Sequence, residues 1–139
     1  MKQTLREFMT DNPAKVDLDT SLAAVAPIMR DRAVGNVLVT VGDDLKGIVT
    51  DRDVVVRAIA EGMDPQSTTV EAVYSGTVVT ASPDTPVNEA VRLMREHAVR
   101  RLPVIDGNRP LGIVSIGDLA MYRDDQSALA DISAAPPNG

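Results

Sequence analysis

The stretch GIVTDRD, residues Gly47 to Asp53, occurs a second time as GIVSIGD, residues Gly112 to Asp118. Both copies contain an apolar triplet, a hydroxyl residue, two variable residues and an aspartate, and they lie 65 positions apart. A hydroxyl residue followed three positions later by an acid is typical of a helix N-terminus. Each copy therefore predicts a strand that leads directly into a helix.

The repeat extends well beyond this motif. A shift of 65 positions aligns residues 16–53 with residues 81–118 without a gap, and 12 of the 38 aligned positions are identical. A repeat of this length indicates two copies of one supersecondary unit packed on each other. A chain of 139 residues is long enough to build such a core without disulfides or metal.

Each copy predicts the order strand-helix-strand-strand-helix. First strands are expected near residues 14–16 and 78–80, and the helices that follow carry apolar residues at the i, i+3, i+4, i+7 spacing. In copy two, Thr85 is the predicted N-cap and Pro86 the first helical residue. In copy one, Pro27 lies inside the predicted helix, so we expect a kink or a later helix start.

Turn signals predict one β-hairpin per copy, with turns at residues 42–44 and 106–108. The boxes Thr4–Glu7 and Thr68–Glu71 each predict a short capped linking helix. We therefore assign repeat one with its linking helix to residues 1–66, repeat two to residues 67–124, and a tail, expected to be partly disordered, to residues 125–139.

Composition excludes several classes of protein and site. The net charge of −6 argues against a nucleic-acid-binding domain, which usually carries a basic patch. The absence of cysteine excludes disulfides and Cys-based zinc sites, and a single histidine, His97, cannot form a histidine cluster. No apolar run approaches the ~18 residues of a membrane helix, and the first residues are too charged for a signal peptide. We expect a cytoplasmic protein with no metal site.

The repeated pattern resembles a tandem pair of CBS domains, also called a Bateman module. The resemblance covers nearly the whole chain, from about Leu5 to Asp124, and depends on the element order, the Asp-Thr start of the first helix, the Pro103-Val104 strand and the repeated G-I-V-[TS]-x-x-D motif. The chain is similar to the small stand-alone two-CBS proteins, of which the hypoxic response protein type is one. The resemblance implies an α+β fold with a pseudo-two-fold between repeats, a homodimer, and a cleft for AMP, ADP, ATP or S-adenosylmethionine.

The hydroxyl-x-x-Asp motif has two compatible interpretations. In the first, Thr50 with Asp53, and Ser115 with Asp118, form helix capping boxes that contribute on the order of 1 kcal/mol each. In the second, the same groups bind a nucleotide, because a helix N-terminus attracts phosphate and a carboxylate can accept both ribose hydroxyls. The resemblance implies these ligand contacts for both copies.

The two copies differ in charge. Copy two has Gly117, which allows close approach to the backbone, and Arg100 and Arg101, which suit phosphate or simply form an exposed pair at a helix end. Pro103 either packs on a base or marks an edge strand. Copy one instead has Asp51 inside its motif, a negative charge that Arg52 only partly offsets. We therefore expect tighter nucleotide binding at Ser115 and Asp118, provided that each ligand is held mainly by its own repeat.

No nucleophile elbow, phosphate-cradling loop or catalytic acid pair occurs in the sequence, so no catalytic residue is assigned. The sequence favours a non-enzymatic regulatory module, with no required cofactor, that binds an adenosine-containing ligand and signals energy or stress state to a partner protein. The alternative is a ligand-free interaction protein that has kept the fold. The apolar residues of the helix after Asp53 also favour a homodimer; they are Val54, Val55, Ala58 and Ile59.

Overall fold

The computed structural model describes residues 3–123, with the side chains of 121–123 excepted, so the predicted tail at 125–139 lies outside the described residues. In chain order the helices and strands are β1 Thr10–Asp11, β2 Lys15–Asp17, α1 Leu22–Arg32, β3 Asn36–Val41, β4 Asp44–Thr50, a π-helix Asp53–Ile59, α2 Val87–His97, β5 Arg101–Asp106, β6 Arg109–Ser115 and α3 Ile116–Arg123. Single 3₁₀ turns lie at Leu5–Glu7 and Val70–Ala72. The fold is α+β with two separate sheets, as the sequence predicts.

The chain divides into two compact units that do not coincide with the repeats along the sequence. The central unit is Pro13–Val78, and the terminal unit joins Met1–Asn12 with Val79–Gly139. The central unit thus includes residues 67–78 of the predicted second repeat. The two linking segments are residues 4–11 and 68–75, each of which contains one predicted linking helix. Each segment pairs with the edge of the other copy's hairpin.

The central unit has a sheet in the order β2-β3-β4, with β2 parallel and β4 antiparallel to β3. Apolar residues of α1 and the alternate residues of β3 and β4 form its core, which includes Leu22, Val25, Val37, Val39 and Val49, all at most 1% exposed. The hairpin turn uses Gly42 with φ of 61°, a left-handed conformation that glycine adopts without a Cβ penalty.

The terminal unit has a sheet in the order β1-β6-β5, with both pairings antiparallel. Its core gathers residues of the N-terminal segment, α2, both hairpin strands and α3, including Leu5, Met94, Leu102, Val114 and Leu119. The two hairpins also share a register shift, which lies between Val39 and Thr40 in one and between Val104 and Ile105 in the other. The sequence repeat thus extends to an irregularity of the backbone.

The motif glycines Gly47 and Gly112 allow a linking segment to approach each hairpin closely. The Ile48 N–H donates to the Ser75 carbonyl at 3.0 Å, and Thr10 pairs with Ile113 at the matching place. A Cβ added to Gly112 would lie 2.7 Å from the Thr10 carbonyl oxygen, and one added to Gly47 would overlap the Ser75 carbonyl. Any larger residue would displace the linking segment.

Four local predictions require correction. The strand expected at 78–80 is reduced to a single parallel bridge between Ala81 and Val104. Helix α2 has Pro86 as its N-cap, because the Thr85 hydroxyl instead accepts from the Ser82 N–H at 3.0 Å and closes the preceding turn. Of the two effects expected of Pro27, the late helix start is wrong, since α1 begins at Leu22, and the kink stays a prediction.

The fourth correction concerns the linking helices. They form where the sequence predicts them, but as single 3₁₀ turns whose N-caps are Thr4 and Thr69. Neither cap makes a side-chain hydrogen bond to its turn, so the predicted Thr-x-x-Glu boxes are absent. The backbone N–H of Leu5 donates instead to the Thr85 carbonyl at 3.0 Å, and that of Val70 to the Thr20 carbonyl at 2.9 Å. Tertiary hydrogen bonds therefore replace local caps.

Candidate functional site

In the central unit, Thr50 and Asp53 form a reciprocal capping box at the end of β4. The Thr50 N–H donates to Asp53 Oδ2 at 2.9 Å, and the Asp53 N–H donates to Thr50 Oγ1 at 3.1 Å. The Asp53 side chain is 18% exposed, so the carboxylate remains partly accessible. The capping interpretation is confirmed for copy one.

The terminal unit has the same box at the end of β6. The Ser115 N–H donates to Asp118 Oδ2 at 2.9 Å, and the Asp118 N–H donates to Ser115 Oγ at 3.2 Å. Both residues are half-buried. In each box one carboxylate oxygen caps the helix, which leaves the second oxygen as the group that a ribose hydroxyl would meet.

Arg101 is the first residue of β5, and Arg100 directly precedes it, at the end of the hairpin that carries this box. Arg101 pairs with Ser115 across the two strands, and residues directly opposite each other share a face of the sheet. The Arg100 carbonyl accepts from the Ile116 N–H at 2.8 Å, which places Arg100 at the first residue of α3. Within residues 3–123, no carboxylate forms an ion pair with either arginine. The structure therefore places the backbone of both arginines next to the box, with Arg101 directly opposite Ser115.

The other two predicted residues of this site take different positions. Gly117 is half-buried in the first turn of α3, next to the box. Pro103 is buried in β5, and its carbonyl accepts from the Ala81 N–H at 3.0 Å. The backbone of Pro103 thus faces away from β6, so its lack of an N–H removes no hydrogen bond between β5 and β6. This favours the edge-strand interpretation. Contact between Pro103 and a base stays a prediction.

The central unit has a different set of groups in the same place. Asn36 pairs with Thr50 across the hairpin, where the terminal unit has Arg101. Gly35 stands where the terminal unit has Arg100, and its carbonyl accepts from the Asp51 N–H at 2.9 Å. The Asp51 carboxylate lies beside Gly35, with Oδ2 3.1 Å from where a Cβ on Gly35 would be.

The sequence interpretation missed Arg57. Its Nη1 lies 3.8 Å from Asp53 Oδ1 and donates to the Val73 carbonyl at 2.8 Å. This side chain joins the box to the linking segment that crosses the same hairpin. The i,i+4 spacing of Asp53 and Arg57 is a recognised helix ion-pair signal and could have identified the contact.

The helix that follows the central box is a π-helix, whereas the helix in the terminal unit is an α-helix. Its apolar residues divide between two environments, contrary to the single face that the sequence suggested. Ala58 is fully buried and Val54 packs against the core, while Val55 and Ile59 are 57% and 49% exposed. Val56 and Met63 are also exposed, so the exposed apolar face consists of Val55, Val56, Ile59 and Met63.

The described part of the chain gives no sign of two other kinds of site. No group of three or more His, Cys, Asp or Glu side chains among the described residues could hold a metal ion. None of the described helices has the length and apolarity needed to cross a membrane. Both boxes offer hydrogen-bond acceptors and helix-start amides; Arg57 lies beside the central box, and Arg100 and Arg101 lie at the start of β5, the hairpin strand that pairs with β6 and its terminal box.

The comparisons with known proteins all lead to one family. The family model described as "CBS domain" matches residues 5–59 and again residues 70–125. The chain is 37% identical over 134 residues to the CBS domain-containing protein YhcV of Bacillus subtilis, which covers 94% of this chain and 95% of that protein.

Two solved structures show the same likeness. The crystal structure of Hypoxic Response Protein I with two coordinated zinc ions superposes with a TM-score of 0.77 at 32% identity, covering 86% of this chain and 98% of that one. The CBS domain pair of protein MJ0100, in complex with 5′-methylthioadenosine and S-adenosyl-L-methionine, gives a TM-score of 0.79 at 22% identity, covering 91% and 100%. The second likeness extends to the fold alone.

Proposed function

Because this chain belongs to the CBS domain family as a tandem pair, we propose that it is a non-enzymatic regulatory module that binds adenosine-containing ligands at its two capping boxes. The observation that carries the proposal is the pair of half-buried aspartates, each with one oxygen on the helix cap. The second oxygen can accept ribose hydroxyls, and the helix start attracts an anionic substituent. The ligands of the MJ0100 pair are adenosine compounds, which supports this ligand class.

The terminal unit is the better site for a nucleotide. Ser115 and Asp118 would meet the ribose, Gly117 would let the ligand approach the backbone, and Arg100 and Arg101 would bind the phosphate. Arginine suits phosphate because its guanidinium donates two parallel hydrogen bonds. We therefore assign AMP, ADP or ATP to this box, and the weaker nucleotide affinity to Thr50 and Asp53.

Signalling requires that the ligand favour one state of the module over another. The linking segments are suited to this role, because each lies against the hairpin whose end carries a box. In the central unit, Arg57 connects Asp53 directly to the carbonyl of Val73 in that segment. A ligand that binds Asp53 would thus compete with Arg57 and weaken the contact between Arg57 and the linking segment. A partner protein in the cytoplasm would recognise the changed segment.

A homodimer completes the proposal. The exposed apolar face consists of three residues of the π-helix and Met63, which lies four residues beyond its end, and four large apolar side chains in one short segment are costly to leave in water. A second copy of the chain would cover this face. The ligand-free alternative keeps the same dimer and assigns the boxes to capping alone.

The test of ligand binding is a calorimetric titration of the purified chain with AMP, with uridine 5′-monophosphate as the matched control. We expect saturable binding of AMP and at least tenfold weaker binding of the uridine compound. No heat and no thermal stabilisation with AMP, ADP, ATP or S-adenosylmethionine would contradict the proposal and support the ligand-free interaction protein.

A further inference from the structure

The linking segment of residues 4–11 is held against the terminal unit by a short stretch of contacts. Leu5 is fully buried, and its N–H donates to the Thr85 carbonyl at 3.0 Å. The strand of this segment, β1, is two residues long and pairs with Gly112 and Ile113 at the edge of β6. A short edge pairing opens more readily than the centre of a sheet, so the side chains that pack beside it matter to its stability.

Met9 packs beside this pairing, over the motif glycine of β6. A Cβ added to Gly112 would lie 2.9 Å from Met9 Sδ and 3.2 Å from Met9 Cγ, so the thioether lies against the glycine backbone. Met9 also packs against the apolar core of the terminal unit, yet the residue is only half-buried. The side chain of Met9 thus combines a structural contact with exposure to solvent.

The other methionines with described side chains differ from Met9 in one of these two properties. Met29 and Met94 are core residues that are 8% and 2% exposed. Met63 is 39% exposed, but it belongs to the exposed apolar face of the central unit and lies outside both linking segments. An oxidant in solution would therefore reach Met9 and Met63 before the core methionines, and of these two Met9 is the one that holds a linking segment.

Oxidation of Met9 would convert an apolar contact into a polar one. A hydroperoxide transfers one oxygen to Sδ: the O–O bond breaks, an S–O bond forms, sulfur loses two electrons to the peroxide, and the peroxide hydrogen moves to the departing oxygen, which leaves as water or an alcohol. The sulfoxide oxygen is a hydrogen-bond acceptor that is costly to keep among apolar neighbours. The Thr10 carbonyl oxygen, 2.7 Å from the same added Cβ on Gly112, is also an acceptor and cannot bond it. The oxidised side chain would therefore turn toward water and leave Gly112.

The central unit has a residue of another kind at the matching position. Tyr74 follows Met9 by 65 positions and lies over Gly47, with Cδ2 2.6 Å from where a Cβ on that glycine would be. The linking segment of residues 68–75 is also held by Arg57, which donates to the Val73 carbonyl at 2.8 Å. A phenol ring cannot become a sulfoxide, so a hydroperoxide would act on one linking segment and leave the other in place.

From this geometry we propose that Met9 is an oxidation site, and that its conversion to the sulfoxide releases the linking segment of residues 4–11 from the hairpin of the terminal unit. A methionine sulfoxide reductase would restore the contact. Met9 would have this role whether or not the boxes bind a ligand. Release would leave the edge of β6 unpaired at Gly112 and Ile113, and an unpaired strand edge is a surface that another chain can recognise.

The test treats the native chain, Met9→Leu and Met63→Leu with hydrogen peroxide, and follows each by peptide mapping and amide hydrogen exchange with mass spectrometry. Leucine keeps an apolar side chain of similar volume but cannot be oxidised, so Met9→Leu separates the sulfoxide from a loss of packing. Met63→Leu is the matched control, because Met63 is exposed and lies outside both linking segments. Residues 70–75 of the same chain serve as the internal reference for exchange.

We expect Met9 to be oxidised at least about tenfold faster than Met94, which is shielded in the core. Oxidation should speed amide exchange in residues 5–11 by about three- to tenfold in the native chain and in Met63→Leu, and should leave residues 70–75 unchanged. Peroxide should cause no such rise in Met9→Leu. Treatment of the oxidised native chain with methionine sulfoxide reductase should restore the original exchange rate.

Three results would overturn the inference. The first is oxidation of Met9 at the slow rate of Met94. The second is a native chain in which Met9 is fully converted to the sulfoxide while exchange in residues 5–11 stays at its original rate. The third is an equal rise of exchange in peroxide-treated Met9→Leu, which would assign the loosening to another methionine.

Discussion

At the scale of the residue, each motif aspartate combines two functions. Asp118 accepts the Ser115 N–H with Oδ2 and thereby caps α3, and Asp53 does the same for the π-helix. A change to alanine would remove the cap, on the order of 1 kcal/mol, together with the proposed ribose contact. A change to asparagine keeps a capping oxygen and removes only the charged acceptor, so it separates stability from binding.

The sequence predicts these residue contacts well because they are local. A hydroxyl and an acid three positions apart can satisfy each other's backbone amides in any helix start, whatever surrounds them. The hydrogen bond from the Arg52 N–H to Asp51 Oδ1 could not be predicted, because it depends on the rotamer of Asp51 and on the space above Gly35. The N-cap prediction for Thr85 is wrong for a similar reason. Its hydroxyl can accept either from the helix that follows or from the Ser82 N–H in the turn that precedes, and the sequence does not show which.

At the scale of the element, the linking segments matter more than their length suggests. Each adds a short antiparallel pairing to the outer strand of a hairpin, at Ser75 with Ile48 and at Thr10 with Ile113. The periodicity of the sequence predicts hairpins and amphipathic helices, but a two-residue strand carries no periodic signal. The same limit explains why the predicted strand at 78–80 is a single bridge at Ala81, where tertiary pairing alone decides.

The motif glycines give a prediction for these segments. Gly47→Ala should lower the free energy of unfolding by about 2–4 kcal/mol, because the new Cβ would overlap the Ser75 carbonyl and the backbone would have to move. Gly76→Ala is the matched control, since its nearest neighbour would be 3.7 Å away in ordinary contact. Urea denaturation of both variants measures the difference, and equal stabilities would mean that the segment does not lie on Gly47.

At the scale of the whole molecule, the repeat predicts the family and the two sheets, but not which segments pack together. The sequence repeats run continuously along the chain, whereas the compact units combine residues 1–12 with the second copy. A sequence repeat predicts which helices and strands each copy contains. It does not predict that the linking segment of one copy pairs with the hairpin of the other. The exposed apolar face was likewise predicted only in part, because Ala58 is buried whereas Val55 and Ile59 are exposed to solvent.

The dimer prediction concerns this face. Light scattering at micromolar concentration should give twice the 14.8 kDa of one chain, and Ile59→Glu should shift the mass toward one chain, because a buried interface rejects an unpaired charge. Val41→Glu is the control, since Val41 is similarly exposed at 44% but lies in the hairpin turn region. A native mass of one chain, or equal masses for the two variants, would contradict the proposed interface.

The most direct test of the two-box proposal is a calorimetric titration with AMP of the native chain, Asp118→Asn and Asp53→Asn, each first shown to unfold at a similar temperature. We predict that Asp118→Asn weakens the tighter binding event at least tenfold, because the charged ribose acceptor is lost. Asp53→Asn should leave that event within about twofold of the native value. Loss of the tight event in Asp53→Asn, with its retention in Asp118→Asn, would contradict the assignment of the nucleotide to the terminal unit.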